Sequence, residues 1–304
     1  MSRLLVLLSA YNGRQHIEGQ IRSIMDQVSS HEIDLRIRDD GSTDDTCDII
    51  DRLIKEYPGR IELVKGDNIG FNASYFKLLY TAKGYDYYAI SDQDDVFSPE
   101  KYEIAINILD SEDTSIPLLF SSVSYLVGDD MEPYGETRKK NKEFTLYNTI
   151  VQNICPGHNQ VFNNALLDLL KKTEDPARIY VYDMWITNTA MLYGKIVFLN
   201  KPLTYYRQHS DNMMGTKSSN LGKLLVSFSR LMSGDGGKTR DQIMYFMEVN
   251  EGELKRKGYY DELNSFISST TCKKRIVYGI RSRLYRQTAI ETICLRLSIC
   301  VGLY

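Results

Sequence analysis

Three carboxylates fall within four positions at Asp92-Gln93-Asp94-Asp95, directly after the apolar, aromatic run Tyr85-Asp86-Tyr87-Tyr88-Ala89-Ile90-Ser91 and shortly before Pro99. Carboxylates this close repel one another, and a hard cation such as Mg2+ or Mn2+ relieves the repulsion by taking their oxygens as ligands. A solvated acidic turn is the other reading such a triplet admits. A second acidic group, Asp39-Asp40-Gly41-Ser42-Thr43-Asp44, follows the alternating stretch Asp34 to Arg38. A carboxylate there can accept the imide N–H of uracil or thymine; the same residues read equally as an Asx turn. A cation held by one group and a base read by the other describe a site for a nucleoside diphosphate carrying something to transfer.

The elements that must position these groups alternate. Leu4 to Ser9 is a short continuous apolar run ending at Tyr11-Asn12-Gly13, the pattern of a buried parallel strand and its loop. Ile17, Ile21, Ile24, Met25 and Val28 then share one helical stripe. A second strand, Asp34 to Arg38, precedes a helix from Thr46 to Tyr57 capped by Asp44 or Asp45. A third strand at Ile61 to Lys65, a turn at Asn68 to Gly70 and a helix from Asn72 to Ala82 lead to a fourth strand, Tyr85 to Ser91. This order predicts an α/β fold whose parallel sheet is covered on both faces, with ligands outside the carboxyl ends of the strands. The polar clusters at Tyr11 to Gly13, Asp39 to Asp44, Asn68 to Asn72 and Asp92 to Asp95 would then share one rim.

Further on, the pattern predicts helices at Lys101 to Leu109, Thr145 to Asn153 and Asn164 to Lys172, and one leading from Tyr182 through Tyr193. Strands are expected at Pro117 to Val127, Gln160 to Phe162 and Ile196 to Leu199, with an extended Leu203 to Arg207 and a solvated charged loop from Glu136 to Glu143. Beyond Asp211 the texture turns to Gly, Ser and Lys, and a boundary is placed near 215. Helices are expected at Leu221 to Met232, Arg240 to Glu251, Tyr259 to Ser268 and Lys273 to Val301.

The chain has 304 residues and a net charge of -3, which gives no basic excess for neutralising phosphates and argues against nucleic acid as a partner. The charge is unevenly placed: residues 270–304 hold seven Lys/Arg against Glu291, a net of +6, leaving -9 for residues 1–269. A basic amphipathic tail with apolar Ile276, Val277, Ile280, Leu284 and Tyr285 reads either as a helix packed on its own domain or as a membrane-surface attachment. Five scattered cysteines without a CxxC pair fit a reducing cytoplasm, and no signal-peptide pattern or spanning apolar window is present.

The ordered motifs Ser9-Ala10-Tyr11-Asn12, Asp39-Asp40-Gly41-Ser42-Thr43-Asp44, Asn68-Ile69-Gly70 and Ser91-Asp92-Gln93-Asp94-Asp95 with Pro99 resemble family 2 glycosyltransferases of the GT-A fold. Tyr182-Asp183-Met184-Trp185 and Tyr206-Arg207-Gln208-His209 are similar to the bacterial rhamnosyltransferase branch. The resemblance covers residues 1 to 212. It implies a Rossmann-like, mostly parallel central sheet flanked by helices over 1–214, and a helical C-terminal region over 215–304 that is membrane-associating in one reading. It further implies that Asp40, with Tyr11, Asn12 and the Ser9-Ala10 backbone, lies against the nucleobase, that Asp92 faces the ribose or sugar, and that Asp94 is the principal metal ligand. Asp95 has no assigned role.

Asp183 would be the catalytic base that deprotonates an acceptor hydroxyl, or else a helix N-cap. His209 as a metal ligand and Arg207 as a phosphate clamp are expected near the diphosphate. Asn68 either binds nucleotide or shapes its turn, His158 lines the acceptor pocket or a plain loop, and Trp185 stacks on a sugar or fills the core. The function implied is an inverting transferase using Mg2+ or Mn2+ and moving L-rhamnose from dTDP-L-rhamnose to a lipid-linked cell-surface polysaccharide, peripheral on the inner face of the cytoplasmic membrane. The rivals are a UDP-hexose or UDP-N-acetylhexosamine donor, and a non-catalytic assembly subunit. A nucleotidyltransferase would need a Gly-rich, basic phosphate loop after the first strand, which Tyr11-Asn12-Gly13-Arg14 does not supply.

Overall fold

The computed structural model describes residues 1–208 and 235–303. Strand β1 (Arg3–Ala10) lies at the middle of a parallel group formed with β2 (Glu32–Asp39), β3 (Ile61–Lys65) and β4 (Tyr87–Ser91) in the order β3-β2-β1-β4. An unbroken Leu/Val run can serve as β1 because both of its faces are covered. Leu4, Val6 and Leu8 meet Ile17, Ile21 and Ile24 of α1 (Ile17–Met25) and Ile50 and Leu53 of α2 (Thr46–Glu56). Leu5 and Leu7 join a second cluster with Tyr75, Phe76 and Leu79 of α3 (Phe71–Thr81). Register pairs Ala10 with Asp39, Asp39 with Lys65 and Leu8 with Ser91, so all four strands end at one rim.

The second half of the sheet is mixed rather than parallel. After β5 (Val96–Phe97) and α4 (Lys101–Asp110), β6 (Leu118–Val127) is reached through β8 (Val161–Asn163), which runs antiparallel to both β4 and β6. Among the described residues the sheet has nine strands, including β7 (Pro133–Glu136), a short partner of β6 that ends where the expected charged loop from Glu136 begins. The expected helix at Thr145 to Asn153 shrinks to α5 (Leu146–Thr149). The two extended pieces near the end of this half are a single strand, β9 (Lys195–Arg207), parallel to β6. Its register slips where Val123 faces Pro202, a residue with no N–H to give the ladder.

Helices α6 (Asn164–Leu170) and α7 (Tyr182–Tyr193) cover the same face as α3. The C-terminal region adds α8 (Asp235–Val249), α9 (Glu251–Arg256), α10 (Tyr260–Ser268), α11 (Cys272–Arg281) and α12 (Ala289–Val301). The long helix expected from Lys273 to Val301 is therefore two. Leu284 is drawn fully into the core between them, and Thr288 starts α12 with a reciprocal capping box to Glu291. Ile243, Phe246, Leu254 and Phe266 share a core cluster with Leu5, Tyr75 and Trp185, so these helices pack on the α/β body. The expected boundary near 215 and the helix at Leu221 to Met232 lie outside the described residues. No described helix is long and apolar enough to cross a membrane, and all five cysteines are free thiols.

Candidate active site

The rim is built by side chains that tie each strand-end loop to the next. Asp40 donates its backbone N–H to the Ala10 carbonyl at 2.7 Å, and its carboxylate accepts the N–H groups of Ile69 and Gly70, both at 2.9 Å. Arg38, itself buried, makes an ion pair with Asp40 and donates to the Asp67 carbonyl at 2.9 Å. At least three of the roughly four acceptor directions of Asp40 are thus engaged in holding the β3–α3 loop against β2. Asn68 is exposed and accepts the Gly70 N–H at 3.2 Å, an Asx turn in the same loop. Asn12, with φ 47°, takes the left-handed conformation open to Asn. Its side chain accepts the Thr43 N–H at 2.8 Å, and its own N–H goes to Ser42 Oγ at 2.9 Å. Tyr11 and Gln93 lock reciprocally, the Tyr11 N–H to Gln93 Oε1 at 2.9 Å and Gln93 Nε2 to the Tyr11 carbonyl at 3.1 Å. A Cβ on Gly13 would lie 2.4 Å from Gln93 Oε1, so glycine leaves room for the lock. Ser9 and Ala10 are buried beneath this loop, with Ser9 Oγ 2.5 Å from Ser74 Oγ.

Around the acidic motif, Asp95 rather than Asp94 turns inward. The short β5 that follows Asp95 pairs with the end of β9, and the Arg207 N–H donates to Asp95 Oδ1 at 3.1 Å. Arg207 Nε donates to the Asp94 carbonyl at 3.0 Å, so this arginine clamps the motif's backbone. The other oxygen of Asp95 is buried with no hydrogen-bond partner among the described residues and stands 3.5 Å from His158 Nδ1. Asp92 Oδ2 lies 3.6 Å from the same nitrogen. One ligand atom from each of Asp92, Asp95 and His158 lies within 4.8 Å of the other two. Cation–oxygen bonds of about 2.1 Å place neighbouring ligands about 3 Å apart, and an orphaned carboxylate oxygen facing an imidazole and a second carboxylate suits a divalent cation.

Burial, reinforced by Asp94 and Asp92, pushes the Asp95 carboxyl well above the usual range. Burial draws the His158 imidazole down, against the pull of Asp92. Beneath them Lys101, fully buried, donates to the His158 carbonyl at 2.5 Å and to Thr204 Oγ1 at 2.9 Å, and sits 3.3 Å from the Phe97 ring centroid. Its ammonium is drawn well down by burial, with Asp95 and Asp92 opposing that effect.

Asp183 stands at the first turn of α7, buried, with its carboxyl pushed up to about 6 by desolvation. Its Oδ2 accepts Asn153 Nδ2 at 2.7 Å and the Gly157 N–H at 3.1 Å, while Oδ1 accepts the Met184 N–H at 2.8 Å. These bonds favour the ionised form, and the charge of Asp92 opposes it. Asp92 and Asp183 are connected through two tyrosines. Tyr75 donates to Asp92 Oδ1 at 3.1 Å and stacks at 4.3 Å on Tyr182, the residue before Asp183.

Of the residues singled out from the sequence, the four strand-end clusters do share a rim. His158, read as an acceptor-side or loop residue, instead joins Asp92 and Asp95, carried there by the turn before β8. Trp185 takes the core reading of its two and not the sugar-stacking one. It is 3% exposed, stacked at 5.1 Å on Tyr245 of α8 and hydrogen-bonded to Thr173, so it presents no open face to a sugar. His209 lies outside the described residues. Sequence reasoning gave Gln93, Asn153 and Lys101 no part. Only Lys101 carried a local signal, a cation two residues after the proline that closes the motif.

The class defined by this fold is a GT-A-like transferase, and the chain belongs to glycosyl transferase family 2, whose model matches residues 5–170. Among relatives, the chain is 27% identical over 226 residues to the dTDP-rhamnosyl transferase RfbG of Shigella flexneri, spanning 70% of this chain and 75% of that one. It is also 27% identical over 218 residues to an uncharacterized glycosyltransferase, alr2836, of a Nostoc species, spanning 69% and 66%. Among solved structures, S. aureus TarS 1-349 in complex with UDP superposes with a TM-score of 0.56 at 15% identity, covering 99% of this chain and 89% of that one. The mannosyltransferase PcManGT of Pyrobaculum calidifontis, in complex with GDP-Man and Mn2+, gives 0.56 at 15%, covering 100% and 81%. These likenesses establish the fold, and the enzyme is a glycosyltransferase.

Proposed function

We propose that this glycosyltransferase is inverting and metal-dependent, and that it moves L-rhamnose from dTDP-L-rhamnose to a lipid-linked cell-surface polysaccharide at the inner face of the cytoplasmic membrane. The observation that carries the reading is the pair of separate acidic centres on one rim, linked through Tyr75 and Tyr182: a convergent Asp92, Asp95 and His158 trio on one side, a buried Asp183 on the other. A single displacement needs charge neutralisation at the leaving diphosphate and a base at the acceptor, in different places. Asp92, Asp95 and His158, with Asp94 adjoining, would hold the cation, whose chemistry is to offset charge on the diphosphate. Tyr11, Asn12, Asn68 and Asp40 shape the loops against which the base would lie, and Arg207 holds the acidic motif. Asp183, raised to about 6, would be ionised at neutral pH yet basic enough to take a proton from a sugar hydroxyl. The likeness to a dTDP-rhamnosyl transferase supports the donor, and the basic C-terminal tail supports a lipid-linked acceptor and peripheral membrane contact.

The test is a panel of sugar nucleotides offered to the purified protein with Mn2+. Turnover of dTDP-L-rhamnose that exceeds all others and vanishes in Asp183→Asn is expected. Turnover of a UDP-hexose or UDP-N-acetylhexosamine instead would replace the donor assignment.

A further inference from the structure

The two helices that end the chain form an antiparallel hairpin with two unlike faces. A Cβ on Gly279 of α11 would meet Cys300 Sγ at 2.5 Å and the Arg296 carbonyl at 3.0 Å, so the helices touch at backbone distance. Arg296 also donates to the Ser282 carbonyl at 2.8 Å. The inner face sends Tyr278, Leu295 and Ile299 into the main core cluster. The outer face is apolar and, among the described residues, uncovered: Ile276 and Ile280 on α11, and Ile290, Ile293, Leu297 and Val301 on α12, are 43% to 69% exposed. The spacing 290, 293, 297, 301 keeps one narrow stripe of α12, with Leu295 and Ile299 on its far side. Lys273, Lys274 and Arg281 border this face, all exposed, and among the described residues no carboxylate lies within ion-pair distance of them. The tail's one acid, Glu291, is engaged by Arg138.

We infer that the outer face of the α11–α12 hairpin is where the protein lies on an anionic lipid surface, its apolar stripe entering the headgroup boundary and its lysines and Arg281 meeting the lipid phosphates. Charge decides the occupant. A second copy seated on the same face would bring two tails of +6 together, whereas an anionic leaflet complements them and repels the remaining body of -9, which orients the molecule. Length agrees, since α11 and α12 have 10 and 13 residues, enough to lie along an interface and too few to span it. The inference deepens the peripheral-membrane part of the proposed function and names the surface responsible.

The experiment is co-sedimentation of the full chain with phosphatidylcholine vesicles with and without phosphatidylglycerol, alongside light scattering in solution. Wild type is expected to bind the anionic vesicles only, and less as salt rises. Ile280→Asp/Leu297→Asp, with an unchanged melting temperature, should bind them about tenfold or more weakly. Lys273→Glu/Lys274→Glu should lose the preference for anionic lipid. Undiminished binding by the Asp variants would overturn the hairpin assignment and leave peripheral attachment elsewhere on the chain. Absence of binding by wild type would overturn both, and a dimer dispersed by the same Asp variants would assign the face to a second copy. None of these readouts uses sugar transfer, so an error in the donor or the base leaves them untouched.

Discussion

Replacing Asp183 by Asn should stabilise the protein while disabling it. A carboxyl held at about 6 against an ordinary 3.8 costs the folded state about 3 kcal/mol once ionised. The sign follows from proton counting. Between roughly pH 4 and pH 6 the native state binds more protons at this site than the unfolded chain, so stability falls as pH rises through that window. Above it the cost is complete. Asn cannot ionise. With its Oδ1 placed toward Asn153 Nδ2 and the Gly157 N–H it keeps those two bonds and loses the one from Met184, at about 1 kcal/mol. The net gain is about 2 kcal/mol at pH 8, or roughly 3 °C in melting temperature for a chain of this size. One pH unit below 6 the wild type has recovered about 1.4 kcal/mol, and the advantage nearly closes. Thermal melts of both proteins at pH 8 and pH 5 in chelator would measure this. Transfer activity of the variant should fall by a factor of about 10² to 10⁴, and wild-type kcat/KM should rise with pH through about 6. Parallel melting curves at the two pH values, or a variant less stable at pH 8, would refute the assignment of Asp183 as a buried, strained base.

Three further outcomes are expected. Asp95→Asn and His158→Ala should each weaken Mn2+ binding in calorimetry by about tenfold or more; if Asp94→Asn alone did so, the trio would not be the ligand set. Gln93→Ala removes both hydrogen bonds to the Tyr11 backbone and should raise the KM for the donor, and Gly13→Ala, which displaces the same side chain, should add little on top of it in a double-mutant cycle. Trp185→Phe should lower stability by about 1 kcal/mol through the lost Thr173 bond and a smaller stack, with acceptor KM unchanged; a raised acceptor KM at constant stability would restore a sugar-stacking role.

The first four strands and three helices were legible because each is a local pattern. An unbroken apolar run becomes a strand covered on two faces, and a stripe repeating every three or four residues becomes a helix. The rim followed from one topological rule. What lay beyond reach depends on pairings between distant segments. His158 meets Asp95 only because the antiparallel β8 enters between β4 and β6, and no periodicity announces that insertion. Asp95 turns inward because β5, two residues long, pairs with β9. Trp185 is a core residue because α8 lies over it, which α7 alone does not foretell. The division of the tail into two helices was, by contrast, written in Thr288 and Glu291, a capping box at the required spacing.

The stack of Trp185 on Tyr245 also bears on how the molecule is made. The face of α7 behind Asp183 is completed by α8, which is synthesised after α7, so a nascent chain ending before α8 carries α7 with an uncovered indole. The parallel half can form earlier in synthesis, whereas the packing behind Asp183 is complete only once α8 has been made.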